Sequence, residues 1–236
     1  MITVADYIRR VRQRLDDVDA TPYLWGDDEI VDALNDSLID AAVIANLTLQ
    51  TNLTIPFTQV SPGGAWNDTY ALPSRVTDIR SVRLASRPSI TLTRSSVRRY
   101  ESLYGGRPTG TATHPSRYFP DVTLAGTGGD KGLLVRSIQF TPTPSAADTA
   151  LVDILRLPAE LSLDDTDAIP EIDPMYQADL IFGIIGRLYL KKDMETYNPD
   201  ASDRAFKEFE SRFGAKIPAS VLRERQTDVP HEMILY

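Results

Sequence analysis

The stretch WGDDEIVDALNDSLIDAAVIANLTLQ, residues 25–50, predicts a long apolar helix directly before the composition of the chain changes. Three acidic residues at 27–29 place negative charge where a helix begins and its dipole is positive. Apolar residues then recur at helical spacing to about Gln50, which predicts a helix about 36 Å long at about 1.5 Å per residue. They cover more than one stripe, so we expect contacts on several sides, and a neighbouring subunit is one candidate for them.

An amphipathic helix is predicted before this stretch. Thr3 and Asp6 form a start similar to a capping box. The apolar residues that follow alternate at intervals of four and three residues and are Val4, Ile8, Val11, Leu15 and Val18. Four arginines lie within this pattern, so it is neither a secretion signal nor a membrane span, and we expect a soluble protein that is not exported by that route.

Between Leu53 and Leu157 the composition is typical of strands and turns. This segment contains one Glu, one Lys, fourteen Thr and eleven Ser, with nine of the sixteen Pro and nine of the thirteen Gly. The predicted strands are 53–60, 69–72, 79–84, 90–93, 117–119, 133–140 and 151–157. In the sixth of them, Val135, Ile138 and Phe140 share one face only if the strand contains a bulge. Short strands at this spacing predict a small barrel or sandwich.

Helices return in the last third of the chain. A helix is predicted from Asp173, a cap residue followed by proline, to Tyr189. Gly183 and Gly186 within it permit the close approach of another helix. A last helix follows Asn198, and the tail beyond it lacks a long periodic run.

These patterns together predict an α+β fold. We expect a helical bundle from the N- and C-terminal flanks, an inserted small β-barrel or β-sandwich module, and an extended C-terminal tail. The predicted boundaries are 1–52 and 171–214 for the helical bundle, 53–157 for the β module, 158–170 for an acidic linker and 215–236 for a C-terminal docking tail.

The composition removes several kinds of chemistry. The 236 residues contain no cysteine, which excludes disulfides, thiolate zinc sites and cysteine nucleophiles and is typical of a protein assembled in a reducing cytosol. His114 has no acid within several residues, and His231 with Glu232 lacks the second histidine of a zinc-protease helix. Neither a GxSxG nor an SxxK motif is present. We predict no catalytic residue, no metal and no cofactor, and a hydrolase that pairs a serine with a distant histidine stays an alternative.

Two further segments have a structural and a functional interpretation. The glycine-rich run 126–132 lacks the spacing of a phosphate loop and predicts a hairpin turn before the strand at Leu133. The acidic stretch from Glu160 to Asp173 has six carboxylates and no base, but lacks the glycine and terminal glutamate of a calcium loop. We interpret it as a solvated linker rather than a cation site.

The charge is segregated along the chain. From Arg75 to Arg117, nine arginines stand against two acids, which gives +7 and leaves −15 on the remainder for a net charge of −8. Such a segment fits nucleic-acid phosphate or an acidic protein surface. No stacking aromatics interleave with the arginines, which favours contacts with another subunit or a partner. The arginines predicted to face that subunit or partner are Arg83, Arg87, Arg94, Arg98 and Arg99.

Four stretches carry a family resemblance. They are VRQRLDD at 11–17, WGDDEIVDALNDSLIDAA at 25–42, YALPSRVTDIRSVRL at 70–84 and YQADLIFGIIGRLYLKKDMETYNPDASDRAFKEFESRF at 176–213. In sequence and order they resemble the head-to-tail adaptor (connector) proteins of tailed bacteriophages, most closely the tail-tubular-A-like adaptors of short-tailed phages.

The resemblance implies a non-enzymatic structural protein of the virion, assembled in the host cytoplasm and located at the head–tail interface. It implies a homo-oligomeric ring, typically a dodecamer, between the portal and the tail nozzle or tail-tube protein. Such a ring is a conduit that contacts the genomic DNA transiently in its lumen, and no membrane is involved. The residues that the resemblance places in the portal-docking segment are Val221, Leu222, Arg223, Arg225, Ile234, Leu235 and Tyr236. The alternative is a nucleic-acid-binding module that uses the basic segment from Arg75 to Arg117.

Overall fold

The chain folds into two compact units. The computed structural model describes residues 1–18, 23–96, 100–101, 105, 110–124, 133–193, 196–216 and 218. One unit, called here the helical unit, combines Met1–Thr48 with Leu157–Ile217. The other, the β unit, contains Leu49–Arg156. Each unit has its own hydrophobic core.

The described helices of the helical unit are α1 Val4–Leu15, α2 Asp27–Ala45, α3 Pro174–Gln177, α4 Leu180–Leu188 and α5 Pro199–Phe213. Of these, α1, α3 and α5 begin at a side-chain cap. The predicted capping box is confirmed, because the Asp6 N–H donates to the Thr3 hydroxyl (3.3 Å) and the Thr3 N–H donates to the Asp6 carboxylate (3.4 Å). The Asp173 carboxylate accepts from the Met175 N–H at 2.8 Å and caps α3. Local sequence alone therefore sets these starts.

Helix α4 is the centre of the helical unit. It contacts α1, α2 and α5, and its small residue Gly183 lets α2 and α5 come close. A methyl group at Gly183 would lie 2.8 Å from the Ser37 hydroxyl and 2.9 Å from the Phe209 ring. The largest apolar residues of this core with almost no exposed surface are Tyr7, Ile30, Leu34, Leu38, Leu180 and Ile184. Burying each such side chain contributes about 1.5–3 kcal/mol, so this core holds the helices in place.

Helix α2 ends earlier than the sequence predicts. It stops at Ala45, and Asn46 adopts the left-handed conformation (φ 53°) with its N–H bonded to the Ala42 carbonyl. The strand β1 begins at Leu49, which pairs with Leu155. The predicted end near Gln50 is wrong because asparagine tolerates the left-handed conformation and terminates the helix there.

The described residues of the β unit form two four-stranded sheets and one short pair of strands. The strands are β1 Leu49–Pro56, β2 Thr69–Ala71, β3 Val76–Leu84, β4 Arg87–Thr91, β5 Thr93–Arg94, β6 Thr111–Ala112, β7 Arg117–Leu124, β8 Leu133–Thr141, β9 Thr143–Pro144 and β10 Thr149–Arg156. One sheet has the order β1-β10-β3-β4 and is antiparallel. The second has the order β2-β8-β7-β5, with β5 parallel to β7, and β6 pairs with β9.

The fold class predicted from the sequence is wrong. The described residues form a mixed α+β chain in which strands outnumber helices and are arranged in several sheets, and none of these sheets closes into a barrel. The edge strands β2 and β5 have only three and two residues, too few to continue a hydrogen-bonded ladder around a barrel. The expected bundle of two helical flanks is also not formed as stated, since the predicted helix from Asp173 to Tyr189 is divided into α3 and α4. The predicted extended tail lies outside the described residues except at its start.

Strand β8 contains the predicted bulge. Its register against β7 shifts so that Arg136 is passed over, between the pairs Asp121 with Ser137 and Val122 with Val135. The shift leaves Val135, Ile138 and Phe140 of β8 buried in one core. The glycine-rich run 126–132 lies outside the described residues, but β7 and β8 on either side of it pair antiparallel.

Candidate assembly surfaces

Arg83 is bound within its own chain. It lies on β3, and its guanidinium is 3.1 Å from the Asp153 carboxylate on the neighbouring strand β10. The same carboxylate accepts from the Ser81 hydroxyl at 2.5 Å and the Asn52 N–H at 2.9 Å. Burial raises the pKa of Asp153, but these hydrogen bonds and the charge of Arg83 outweigh it, so the pKa lies below its ordinary value. The charge of Arg83 is therefore largely neutralised in the β unit.

Arg94 also has an acidic partner. Its guanidinium is 2.8 Å from the Asp78 carboxylate, and the Arg94 side chain is 20% exposed. Strand β5, which carries Arg94, is thereby tied to β3, which carries Asp78. A guanidinium in a part-buried pair of this kind contributes less to a binding surface than an unpaired one.

Arg87 differs from these two arginines. It lies on the edge strand β4, all of whose residues are exposed, including Ile90 at 53%. Within the described part of the chain Arg87 has no ion-pair partner. Arg98 and Arg99, and every predicted portal-docking residue from Val221 to Tyr236, lie outside the described residues.

Two other arginines line a pocket that the sequence did not indicate. The pocket has a volume of about 300 Å³ and lies between the turn after β2 and strand β8. Arg75 and Arg136 line it, and neither has an ion-pair partner among the described residues. The apolar residues that border it are the partly exposed Leu72, the exposed Pro73 and the buried Leu134 and Val135. Below, we call it the two-arginine pocket.

The backbone holds the two-arginine pocket in shape. The Leu72 N–H donates to the Arg136 carbonyl at 2.9 Å, which joins the turn to β8. Arg75 is in the left-handed conformation (φ 72°), which is uncommon for a residue other than glycine. Arg75 belongs to the basic segment, but Arg136 lies far along the chain, and only the pairing of β2 with β8 brings the two together.

The acidic stretch near residue 165 presents carboxylates on a fixed backbone. The exposed residues Ser162–Asp167 are called here the acidic loop. The Val4 N–H donates to the Ala168 carbonyl (3.1 Å) and the Ala5 N–H to the Thr166 carbonyl (3.0 Å). The loop and the residue that follows it thus accept hydrogen bonds from two backbone N–H groups in the first turn of α1. Among the described residues no group of three or more His, Cys, Asp or Glu side chains is arranged to hold a metal ion.

The acidic loop is also anchored at its first end. Leu161 is buried, and its backbone exchanges two hydrogen bonds with the Asn35 side chain, at 2.9 and 2.8 Å. Leu163 stands out from the loop and is 41% exposed. The loop thus shows an apolar side chain beside carboxylates that have no ion-pair partner in the described part of the chain: Asp164, Asp165 and Asp167.

A serine, an aspartate and a histidine meet in the β unit without forming a hydrolytic triad. The Ser86 hydroxyl donates to the Asp148 carboxylate at 2.5 Å, and His114 Nδ1 is 3.7 Å from the same oxygen. In a triad the histidine stands between the serine and the carboxylate, whereas here the carboxylate stands between them. Burial raises the pKa of Asp148, but the hydrogen bonds from Ser86 and Thr149 lower it below its ordinary value, which makes this carboxylate a weak base.

The exposed surfaces of opposite charge are typical of a protein that acts through contacts with other macromolecules. The comparisons with known proteins identify the class of protein. The model of a bacteriophage adaptor family, described as SU10 adaptor protein, matches residues 2–233. The chain therefore belongs to the SU10 adaptor protein family, which confirms the resemblance to phage adaptor proteins.

Membership of this family makes the chain a structural component of the virion that interacts with other head and tail proteins. Phage adaptor families are in general structural rather than enzymatic. No protein among the curated ones matches the chain. Within the described residues, no helix combines the length and the apolar character needed to cross a bilayer.

Proposed function

We propose that the chain forms a ring between the portal and the tail nozzle of the phage and that this ring is a conduit for the genomic DNA. The observation that carries the proposal is the family match over residues 2–233. The stretches that resemble tail-tubular-A-like adaptors favour a short-tailed phage and a ring of twelve copies. The exposed surfaces of opposite charge support repeated contacts between copies.

The proposal assigns different contacts to different parts of the chain. The segment 215–236 docks on the portal through the apolar residues Val221, Leu222, Ile234, Leu235 and Tyr236, with Arg223 and Arg225 beside them. The β module 53–157 faces the tail protein, and the flanks 1–52 and 171–214 pack side by side with those of neighbouring copies. The acidic segment 158–170 joins the two.

Association with the portal tests the proposal. Purified chain is mixed with portal rings of the same phage, and the complex is followed by sedimentation and electron microscopy. We expect a second ring stacked on the portal, and we expect Leu235→Asp with Tyr236→Asp to remove it because a carboxylate is costly to bury in an apolar contact. Val60→Asp with Ile90→Asp, at two exposed apolar residues of the β unit, is the matched control. A wild-type chain that stays monomeric and never joins portal rings would contradict the proposal.

A nucleic-acid-binding module is the second candidate, and one observation favours it. Arg75, Arg80 and Arg87 of the basic segment have no ion-pair partner among the described residues. Phosphate binding weakens by about one log unit per log unit of salt for each phosphate neutralised. Retention of duplex DNA on a filter between low and high salt measures this slope, and no retention at low salt would remove this candidate.

A further inference from the structure

The two-arginine pocket and the acidic loop have complementary chemistry. We propose that the pocket of one copy receives the acidic loop of a second copy, and that this contact holds neighbouring subunits of the ring together. The inference rests on the proposed function, because it names the contact by which copies of the adaptor associate. It concerns Arg75 and Arg136 on one copy and Ser162–Asp167 on the next.

The pocket suits a chain segment in which an acidic residue stands next to an apolar residue. Two guanidinium groups offer fork-shaped donors that match carboxylate oxygens. Neither Arg75 nor Arg136 is neutralised by an acid in the described part of its own chain. The accessible apolar part of the lining is formed by Leu72 and Pro73. A hydrated phosphate gains little from that apolar part, whereas a leucine beside an aspartate uses both parts of the pocket.

The acidic loop supplies this combination. Leu163 is exposed and stands directly before Asp164 and Asp165. The loop is held by Asn35 at one end and by the first turn of α1 at the other. A loop already fixed in one conformation loses little conformational freedom on binding, so more of the interaction energy becomes affinity.

A contact of this kind joins two different surfaces of the chain, as a ring requires. The pocket lies in the β unit and the loop in the helical unit, so the two surfaces that meet are different surfaces of the same chain. A contact between unlike surfaces leaves one free pocket and one free loop after each addition, and it closes into a ring when the rotation permits. A contact between like surfaces would end at a dimer.

Charge reversal tests the inference. Variant one carries Arg75→Glu and Arg136→Glu, and variant two carries Asp164→Lys and Asp165→Lys. We expect each variant alone to associate about tenfold or more weakly than the wild type, measured by analytical ultracentrifugation. A mixture of the two should recover association. The glutamates in the pocket of variant one then face the lysines in the loop of variant two, and the arginines in the pocket of variant two face the aspartates in the loop of variant one. Arg75→Glu alone is compared with Arg80→Glu, which makes the same charge change at an exposed position of the β unit outside the pocket and should leave association unchanged.

A covalent test uses the absence of cysteine from the sequence. With Ser74→Cys beside the pocket and Leu163→Cys in the loop, mild oxidation should give a ladder of linked chains. Either substitution alone should give at most dimers. Circular dichroism of every variant, together with recovery in the mixture, separates a lost contact from a misfolded chain.

The results of these experiments distinguish a failure of the inferred contact from a failure of the proposed adaptor function. If the wild type assembles and both charge variants assemble equally well, the inference is wrong and the proposed adaptor function stands. The inference is also wrong, and the adaptor function stands, if variant one still forms rings but no longer binds duplex DNA. The pocket would then be a phosphate-binding site. If the wild type never associates with itself, alone or on portal rings, both the inference and the proposed function fail.

Discussion

Arg12 is a buried arginine whose guanidinium joins α1 to the start of α2. It is 2.8 Å from the Asp17 carboxylate and 2.5 Å from the Asp27 carboxylate, and it donates to the Trp25 carbonyl at 3.0 Å. It also lies over the Tyr23 ring, 3.5 Å from the ring centre. The sequence shows an arginine within an apolar pattern, and only the fold shows that its partners are in the following connection.

Removing Arg12 should destabilise the chain strongly. We expect Arg12→Ala to lower the free energy of unfolding by about 3–5 kcal/mol, because the Asp17 carboxylate, only 4% exposed, would lose its countercharge. Urea unfolding followed by circular dichroism measures the loss. The control is Arg9→Ala, which removes an exposed ion pair with Asp6 and should change the free energy of unfolding very little. Equal losses in the two variants would contradict the role of Arg12.

The carboxylates of Asp148 and Asp153 predict a loss of stability in acid. In both, burial raises the pKa, but hydrogen bonds from Ser86 and from Ser81 outweigh it and lower the pKa below its ordinary value of 3.8. A carboxyl whose pKa is lower in the folded state adds stability above the unfolded pKa, and this stability is lost as the pH falls through the folded pKa. The free energy of unfolding should therefore decrease as the pH falls below about 4.

Unfolding in urea at several pH values between 7 and 3 measures this effect. The variant Asp148→Asn with Asp153→Asn should be less stable than the wild type at pH 7 and should lose less stability toward pH 3. Asp203→Asn changes the charge by one unit at an exposed position of α5 and serves as the control. If the double variant kept the full acid dependence of the wild type, these two carboxyls would not be its source.

The contact of helix α4 with helices α2 and α5 depends on Gly183. Alanine is the better helix former by about 1 kcal/mol, but a methyl group here meets Ser37 and Phe209 at under 3 Å. Phe209 is buried and cannot move freely. We expect Gly183→Ala to lower the free energy of unfolding by about 1–2 kcal/mol, measured by urea unfolding.

Gly186 provides the matched comparison on the same helix. A methyl group there approaches the Phe206 ring at 3.1 Å, and Phe206 is only partly buried, so the ring can yield. Gly186→Ala should therefore be close to neutral. If Gly186→Ala were the more destabilising change, the close approach of helices would not be centred on Gly183.

Local signals predicted the elements better than their arrangement. The capping box of Thr3 and Asp6, the cap at Asp173 and the bulge in β8 are all confirmed, because each depends on residues a few positions apart. The end of α2 was predicted wrongly because apolar spacing continues past Asn46, where the backbone turns left-handed. The barrel or sandwich was predicted wrongly as a fold class, because alternation in a strand does not specify which strand pairs with it.

The same limit applies to the candidate surfaces. The basic segment was visible in the sequence, but the ion pairs of Arg83 with Asp153 and Arg94 with Asp78 were not, since each partner lies on another strand. Conversely, Arg136 lies outside the basic segment, but the pairing of β2 with β8 places it beside Arg75 in the lining of one pocket. Counting charges along a chain finds a basic region, and only the fold shows which of its arginines are available for binding.

The net charge of −8 conceals a separation into +7 on the basic segment from Arg75 to Arg117 and −15 on the remainder of the chain. If copies associate through these opposite charges, salt should weaken the ring. The screening length falls from about 10 Å at 0.1 M salt to about 3 Å at 1 M. An apolar contact responds in the opposite way to sulfate, which strengthens burial.

We therefore expect self-association of the wild type to fall steadily as sodium chloride rises from about 0.1 to 1 M, measured by sedimentation at constant protein concentration. The control is sodium sulfate at matched ionic strength. Both salts screen charge equally, so a contact dominated by charge weakens in both, whereas an apolar contact persists or tightens in sulfate. Association that is insensitive to chloride and stronger in sulfate would mean that apolar surfaces hold the copies together. The exposed charges would then serve only to keep the chain in solution, because exposed charges that no partner neutralises favour the dispersed state.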